Sequence, residues 1–408
     1  MSTHLDGIVS NHQKQSIVSS SEMLDCQRDL FDLPDKICWL NSAFMSPLLK
    51  TVQNAGLEGV RRRGQPWNIT ADDFFEPAER VRELYGGLIG ANAESISIVP
   101  SVSYAIGIAV ANLPIRSGDN IVVVEEQFPS NIYPWRDAAK KQSAMVRTVS
   151  IPQGDWTEAI LSVIDENTAV VAIPHIHWTT GAQFDLKRIS KVASANDAAL
   201  VVDATQSLGV LPLKVNEVQP DFLVAAGYKC MLGPYGLTYL YVSPKWQEGI
   251  PLEQAWLNRQ NANDFANLTH YCDDYAAGAR RFDMGERSST ILLPMAIESL
   301  SQLTRWKIAA IENYTRPLIQ YIINQADALG YSHPCPETCS PCMVGIGLPD
   351  NVPGDVARRL SVEGVYVSIR KGNARVAPHI YNTREDVDRF FQTLSRLILQ
   401  HGTGMPTN

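Results

Sequence analysis

The 408-residue chain predicts an α/β fold: a mostly parallel central sheet flanked by helices, with a smaller α+β domain toward the C-terminus. Three observations carry this prediction. Hydrophobic residues make up 45% of the sequence, which at this length supports a large core divided between two domains. Short apolar runs closed by turn residues recur at 96–99, 121–124, 168–173, 198–202, 222–226 and 237–242, and such runs read as fully buried strands. From Pro294 the pattern changes to helical periodicity.

Taken in order, residues 1–30 are polar and irregular, an arm that lies over a neighbouring subunit or stays loose. The stretch 77–86 predicts a helix with Val81, Leu84 and Tyr85 along one face, closed by Gly86-Gly87. After the strand at 96–99 comes Pro100-Ser101-Val102-Ser103-Tyr104, then a helical run from Ala105. A helix that starts after a strand presents free N–H groups and a positive dipole end, where a phosphate can bind. Ser101 or Ser103 can equally cap that helix. The run 121–124 leads to Phe128, Asn131 and Trp135. The run 168–173 ends in Pro174-His175-Ile176-His177-Trp178-Thr179-Thr180-Gly181, whose two histidines face opposite ways if extended and do not alone make a metal site. Segments 255–259 and 281–288 are turn-rich. Helical spacing then appears at Ile297, Leu300 and Leu303, and at Leu318, Ile319, Ile322 and Ile323. A last amphipathic helix carries Val387, Phe390, Phe391, Leu394, Leu397 and Ile398, with Asn382 and Glu385 as its capping pair. The resulting division is an arm (1–30), a large domain (31–293) and a small domain (294–408).

The net charge of −8 argues against a nucleic-acid partner, and Arg61-Arg62-Arg63 reads as a solvated helix face. No apolar stretch reaches the ~18 residues of a membrane helix. The N-terminus lacks the pattern of a signal peptide, so cytoplasmic residence is the expectation. Seven cysteines, an odd count, read as reduced thiols. Cys335, Cys339 and Cys342 form C-x3-C-x2-C, a spacing also used for iron–sulfur clusters in radical enzymes. Such a cluster opens a long barrel, for which too little chain follows Cys342, and a zinc site lacks a fourth ligand beyond His333. The segment is read as a turn-rich loop without metal.

The central stretch runs from Ala198 to Val242. Its first apolar run stops on Asp203, followed by Thr205, Gln206 and Ser207, and its second ends in Gly227-Tyr228-Lys229. Open α/β sheets bind ligands at the carboxyl ends of their strands, so this acid and this lysine are expected to share a pocket. Separately, each has an ordinary reading, the acid as a cap or turn residue and the lysine as a solvated side chain. Together they suit pyridoxal phosphate: the amine bonds the cofactor aldehyde, and the carboxylate keeps the pyridine nitrogen protonated.

With Gln206 three residues after the acid and glycines flanking the lysine, the stretch resembles the class V aminotransferase family of fold-type I pyridoxal phosphate enzymes. The likeness extends from about Cys38 to about Leu399, with motifs in the family's order. It implies a homodimer with shared active sites and an amino acid substrate. The resemblance places Val102, Ser103, Thr205 and Tyr228 at the cofactor phosphate, Phe128 on the ring face, Gln206 by the phenolic oxygen and Trp178 against the cofactor. It brings Arg287 or Ser288 to the neighbour's phosphate. Asn41 and Ala43 stand beside the substrate, and Arg375, with Arg370 as a second candidate, grips an α-carboxylate, which a planar guanidinium can do bidentately.

Two features select within the family. His175 to Gly181 is similar to the H-x-H-W-T-x-G segment of the isopenicillin N epimerase-like branch. Cysteine desulfurases carry a mobile loop with a persulfide-forming cysteine near Arg375, whereas no cysteine occurs after Cys342 here. The expected reaction is therefore a β-eliminating C–S lyase or an epimerase step at the α-carbon. A class V aminotransferase is the alternative, and a non-catalytic cofactor-binding protein is a more distant one.

Overall fold

Alternate residues of the predicted apolar runs turn to opposite faces of one sheet and bury both. A computed structural model describes residues 24–152 and 154–402. Its strands are β1 (Cys38–Trp39), β2 (Ile96–Val99), β3 (Asn120–Val124), β4 (Met145–Val149), β5 (Thr168–Pro174), β6 (Ala199–Asp203), β7 (Phe222–Ala226), β8 (Thr238–Val242), β9 (Val344–Gly347), β10 (Val365–Tyr366), β11 (Ser368–Arg370) and β12 (Asn373–Val376). Its helices are α1 (Lys50–Arg63), α2 (Glu76–Ile89), α3 (Val102–Asn112), α4 (Tyr133–Gln142), α5 (Trp156–Leu161), α6 (Leu186–Ala195), α7 (Val215–Val218), α8 (Leu292–Trp306), α9 (Ile308–Ala328), α10 (Val356–Val362) and α11 (Arg384–Gly402).

Among the described residues, seven strands form the central sheet in the order β2-β8-β7-β6-β5-β3-β4, with β8 running against its neighbours and the others parallel. Val122, Val171, Leu200, Val202 and Leu223 bury one face. Their neighbours Ile121, Val170, Ala199, Val201 and Val224 bury the other. That is the period-2 consequence of a sheet covered on both sides.

Element ends differ from the sequence reading in instructive ways. α2 runs through Gly86-Gly87 to Ile89 and ends on Gly90, which is left-handed at φ 71°. Gly86 sits inside the helix because a Cβ there would lie 2.7 Å from the Ala91 carbonyl oxygen. α3 starts at Val102, three residues before Ala105, capped by the Ser101 hydroxyl, which accepts from Tyr104 N at 3.2 Å. Before α11 the reciprocal contact comes from Asp386 rather than Glu385: its carboxylate accepts from Thr383 N at 3.2 Å and Asn382 Nδ2 at 3.0 Å.

The two cores do not follow the expected boundaries. Cys38 and Leu40 pack with Ile319, Ile322, Val344, Val387 and Phe390, because β1 pairs with β10. Leu293, Ala296, Leu300 and Leu303 of α8 join the core of the large sheet, where α8 packs on α1 and α2. Most of the expected arm lies outside the described residues. In its last part Gln27 N donates to the Ile380 carbonyl at 2.8 Å, and Arg28 Nη2 to the Ile37 carbonyl at 2.6 Å. This part lies on its own chain's small domain.

The outer edge of β2 is closed by the 279–284 segment. Asp283 Oδ1 accepts from Ile98 N at 2.8 Å, and Met284 N donates to the Ile98 carbonyl at 3.0 Å. Asp283 also pairs with Arg82 and, at 2.6 Å, with Arg287, all three buried. Asp283→Asn leaves the buried Arg287 without its carboxylate partner and Arg82 with Glu79 alone, so a loss of about 3–5 kcal/mol is expected in denaturant unfolding. A variant with an unchanged unfolding midpoint would show that the cluster is not holding the edge.

Candidate active site

The carboxyl ends of β2, β3, β5, β6 and β7 converge on a cleft of about 350 Å³. Asp203, Thr205, Gln206, Tyr228 and Lys229 line it, with Val102, Ser103, Phe128 and Trp178. The acid ends β6, and the lysine stands three residues past the end of β7.

Asp203 and Lys229 are both buried. Burial pushes the Asp203 carboxyl above its usual range, against hydrogen bonds from Thr205 and the charge of Lys229. Burial also lowers the Lys229 ammonium to about 8, with Asp203 pulling it up and Arg375 down. A buried carboxyl has much to gain from an added cation, and a lysine near 8 supplies neutral amine at mild pH. Uptake of pyridoxal phosphate by the cofactor-free protein should thus accelerate about tenfold per pH unit up to about pH 8 and level off above, because only the neutral amine attacks an aldehyde. Stopped-flow absorbance checks this, and a flat profile from pH 6 to 9 would contradict it.

Thr205 stands in the cleft, but its groups are committed to Asp203 rather than left for a phosphate. Its N–H donates to Asp203 Oδ1 at 3.0 Å, its hydroxyl bonds the same carboxylate, and Oγ1 accepts from Ala226 N at 3.2 Å. Gln206 Nε2 donates to the Ala43 carbonyl at 3.2 Å, while Oε1 is buried with no partner among the described residues. The first hydrogen bond of α3 runs from Ala105 N to the Ser101 carbonyl, so the N–H groups of Val102 and Ser103 precede it at the cleft.

Phe128 stands beside the lysine, its ring centre 5.3 Å from Nζ and 5.3 Å from the Trp178 ring in an edge-on contact. The Trp178 indole N–H donates to the Glu126 carbonyl. An indole has one hydrogen to donate, so Trp178 forms wall rather than a polar contact to the cofactor's phenolic oxygen. Arg375 lies just behind it, donating from Nη1 to the Trp178 carbonyl at 3.2 Å, with Nε buried and unpartnered among the described residues.

Other expected residues do not line the cleft. Asn41 accepts from the Ser368 hydroxyl at 2.9 Å, and Ala43 contributes its carbonyl to Gln206, so both support the site from behind. Arg370 donates to its neighbour's carbonyl, Ile369 O, at 2.8 Å, on the strand paired with the one that carries Arg375. Arg287 and Ser288 turn inward: Arg287 donates to Asp283 and the Phe74 carbonyl, and the Ser288 hydroxyl to that same carbonyl at 2.6 Å. Within the single chain their polar groups therefore bond the chain's own residues. His175 is neutral, its pKa pushed by burial to about 4, with Nδ1 2.9 Å from the Ser207 hydroxyl. His177 stacks on Trp156 and bonds the Glu125 carbonyl. The three clustered cysteines face different neighbours: Cys335 bonds Glu337, Cys339 the Pro334 carbonyl, and Cys342 the thiol of Cys230.

The sequence reading missed Tyr235, Gly236 and Thr238, which also line the cleft. Because β8 is antiparallel, its beginning meets the site. The Tyr235 ring packs 4.6 Å from that of Tyr228, a contact only the fold creates.

A phosphorylated pyridine aldehyde fits these groups: a buried amine, a carboxyl that gains from a cation, an unpaired amide oxygen, an aromatic wall and open helix N–H groups. Comparison with known proteins agrees. Residues 69–390 match the aminotransferase class-V family model. An uncharacterized aminotransferase, YcbU, of Bacillus subtilis is 28% identical, covering 85% of this chain and 89% of its own. A probable cysteine desulfurase of Methanothermobacter thermautotrophicus is 27% identical over 91% of this chain and 97% of its own. Among solved structures, a variant of C-DES with glycine covalently linked to its PLP cofactor superposes with a TM-score of 0.80 at 17% identity, covering 91% of this chain and 98% of that one. The apo cysteine desulfurase of Thermococcus onnurineus gives 0.76 at 21% identity, over 91% and 97%. The fold is that of the fold-type I enzymes. The chain belongs to the class V aminotransferase family and is a pyridoxal-phosphate-dependent enzyme.

Proposed function

We propose that this enzyme acts at the α-carbon of an amino acid, as a β-eliminating C–S lyase or an epimerase, without a persulfide cysteine. The observation that carries this is the hairpin of β11 and β12. Arg370 passes to Arg375 through a turn made by Lys371 and Gly372, which leaves no room for a cysteine-bearing loop, and no cysteine follows Cys342 in the sequence. Cys230 and Cys342 are buried and neither lines the cleft. The names of several relatives favour desulfuration or transamination, and the alternative of a plain aminotransferase rests on them.

In this reading Lys229 holds the cofactor covalently, and Asp203 holds the ring nitrogen protonated. The α3 N-terminus, with Val102, Ser103 and Tyr228, binds the phosphate, and Thr205 keeps Asp203 in place. Gln206 sits by the phenolic oxygen. When bound, pyridoxal phosphate supplies an electron sink for the α-carbon. Arg375 fixes the substrate carboxylate, and its unpaired Nε is available for a bidentate contact. Lys229, once released, removes the α-proton; in elimination the β-substituent then leaves the adjacent carbon with the bonding pair, and in epimerisation a proton is delivered to the opposite face of the α-carbon, with Phe128 and Trp178 limiting water at the site. Cytoplasmic residence and a homodimer with shared sites belong to the same reading. Among the described residues no helix is long and apolar enough to cross a membrane.

Incubation with a panel of amino acids, S-substituted cysteines included, tests the proposal. Pyruvate with ammonia, or inverted stereochemistry, is the expected outcome. Stoichiometric conversion of the cofactor to its amine form by a donor alone, with neither of those products, would favour the aminotransferase.

A further inference from the structure

Two residues other than glycine beside the cleft wall at Trp178 hold left-handed backbone, Glu126 at φ 56° and Lys371 at φ 45°. Such positions cost energy for residues with a side chain and cluster where structure serves a site. The two meet: Lys371 Nζ lies 2.6 Å from Glu126 Oε1. Lys371 and Gly372, at φ 79°, make the two-residue turn between β11 and β12. A turn with both residues at positive φ favours asparagine or glycine in its first place, so the lysine has no conformational reason to be there.

That hairpin carries Arg375. On the other side of the ion pair, the Glu126 carbonyl accepts the Trp178 indole N–H, and its second carboxylate oxygen lies 3.4 Å from the Thr179 hydroxyl. Trp178 in turn accepts Arg375 Nη1 at its carbonyl, with the guanidinium carbon 5.6 Å from its ring centre. The contacts close a circuit: hairpin tip to Glu126, Glu126 to Trp178, Trp178 to Arg375, and Arg375 back along β12 to the tip. Glu126 is the member that touches both the hairpin and the indole wall.

We infer that Glu126 is a positioning residue for Arg375, setting the guanidinium's place at the cleft and hence the enzyme's affinity for substrates that carry a carboxylate. This rests on the reading of Arg375 as the carboxylate-binding group. Lys371 is the latch that draws the hairpin onto Glu126.

The test titrates the cofactor-loaded protein with L-alanine and with ethylamine, the same amine without a carboxylate, following cofactor absorbance. Glu126→Gln and Lys371→Met should each weaken L-alanine binding about tenfold and leave ethylamine binding within about twofold of the original. The exposed Lys371→Met keeps the test open should Glu126→Gln fold poorly. Reversing the pair, Glu126→Lys with Lys371→Glu, should recover most of the loss. Equal weakening of both probes, or none in either single variant while Arg375→Gln abolishes the preference for L-alanine, would overturn the role of Glu126 and leave that of Arg375 standing. If Arg375→Gln has no effect on L-alanine, or L-alanine does not perturb the unsubstituted protein, both readings fall.

Discussion

Lys229→Ala should reduce exchange of the α-proton of a bound amino acid with deuterated solvent by about 10³-fold or more, the largest effect of any single substitution. In the proposed mechanism two losses coincide in this variant: the covalent link to the cofactor, and the base placed at the α-carbon. Lys229 is buried, and its ammonium is lowered to about 8, so no solvent-exposed lysine can stand in for it at neutral pH. Lys229→Arg separates charge from chemistry. Guanidinium keeps the cation but offers no neutral amine, so it should be as inactive as alanine. Proton NMR of the Cα signal measures both. Exchange in Lys229→Ala within tenfold of the original protein would assign the base elsewhere.

Asp203→Asn should slow the same exchange by about 10²- to 10³-fold, the usual range for removing one preorganised electrostatic partner from a reaction centre. The amide keeps the size and one acceptor oxygen for Thr205 N, so the β6 end should survive. What disappears is the anion that keeps the pyridine nitrogen cationic. Asp203→Glu retains the charge and should recover part of the rate. The carboxyl is raised by burial in the cofactor-free chain. A cation bound beside it opposes that shift and favours the charged carboxylate. Equal rates in Asp203→Asn and the unsubstituted enzyme would remove the carboxylate from the mechanism.

Much of the large domain is readable from the sequence because a strand buried on both faces needs no polar side. β2, β3, β5, β6, β7 and β8 are all such strands and stand out as apolar runs. The edge strand β4, MVRTV, is largely exposed and carries no such signal. Asp203 and Lys229 were legible because parallel strands deliver their carboxyl ends to one place. Tyr235 and Thr238 are not legible, since they stand just before and at the start of a strand whose direction only the sheet reveals. The bond of Arg287 to Asp283 is not legible, because the cluster is completed by Arg82, far away in the chain, and a buried ion cluster leaves no local pattern. The pairing of Cys38 with Val365 escaped for the same reason, and with it the true membership of the smaller core.

Relatives with similar folds bear the names of an aminotransferase, desulfurases and a C–S lyase. A buried lysine amine beside a carboxylate suits all of these chemistries. Around them this chain places the tight turn at Lys371-Gly372, the indole at Trp178 and the aromatic pair Tyr228 and Tyr235, and we propose that these select the substrate. Substrate selection is therefore best sought at that mouth rather than at the lysine.

Borohydride reduction of the cofactor-loaded enzyme, followed by peptide mapping, tests the assignment most directly. The reduced pyridoxyl label is expected on the peptide spanning Gly227-Tyr228-Lys229, at the ε-nitrogen of Lys229. A label on a different lysine, or a protein that takes up no label, would contradict it.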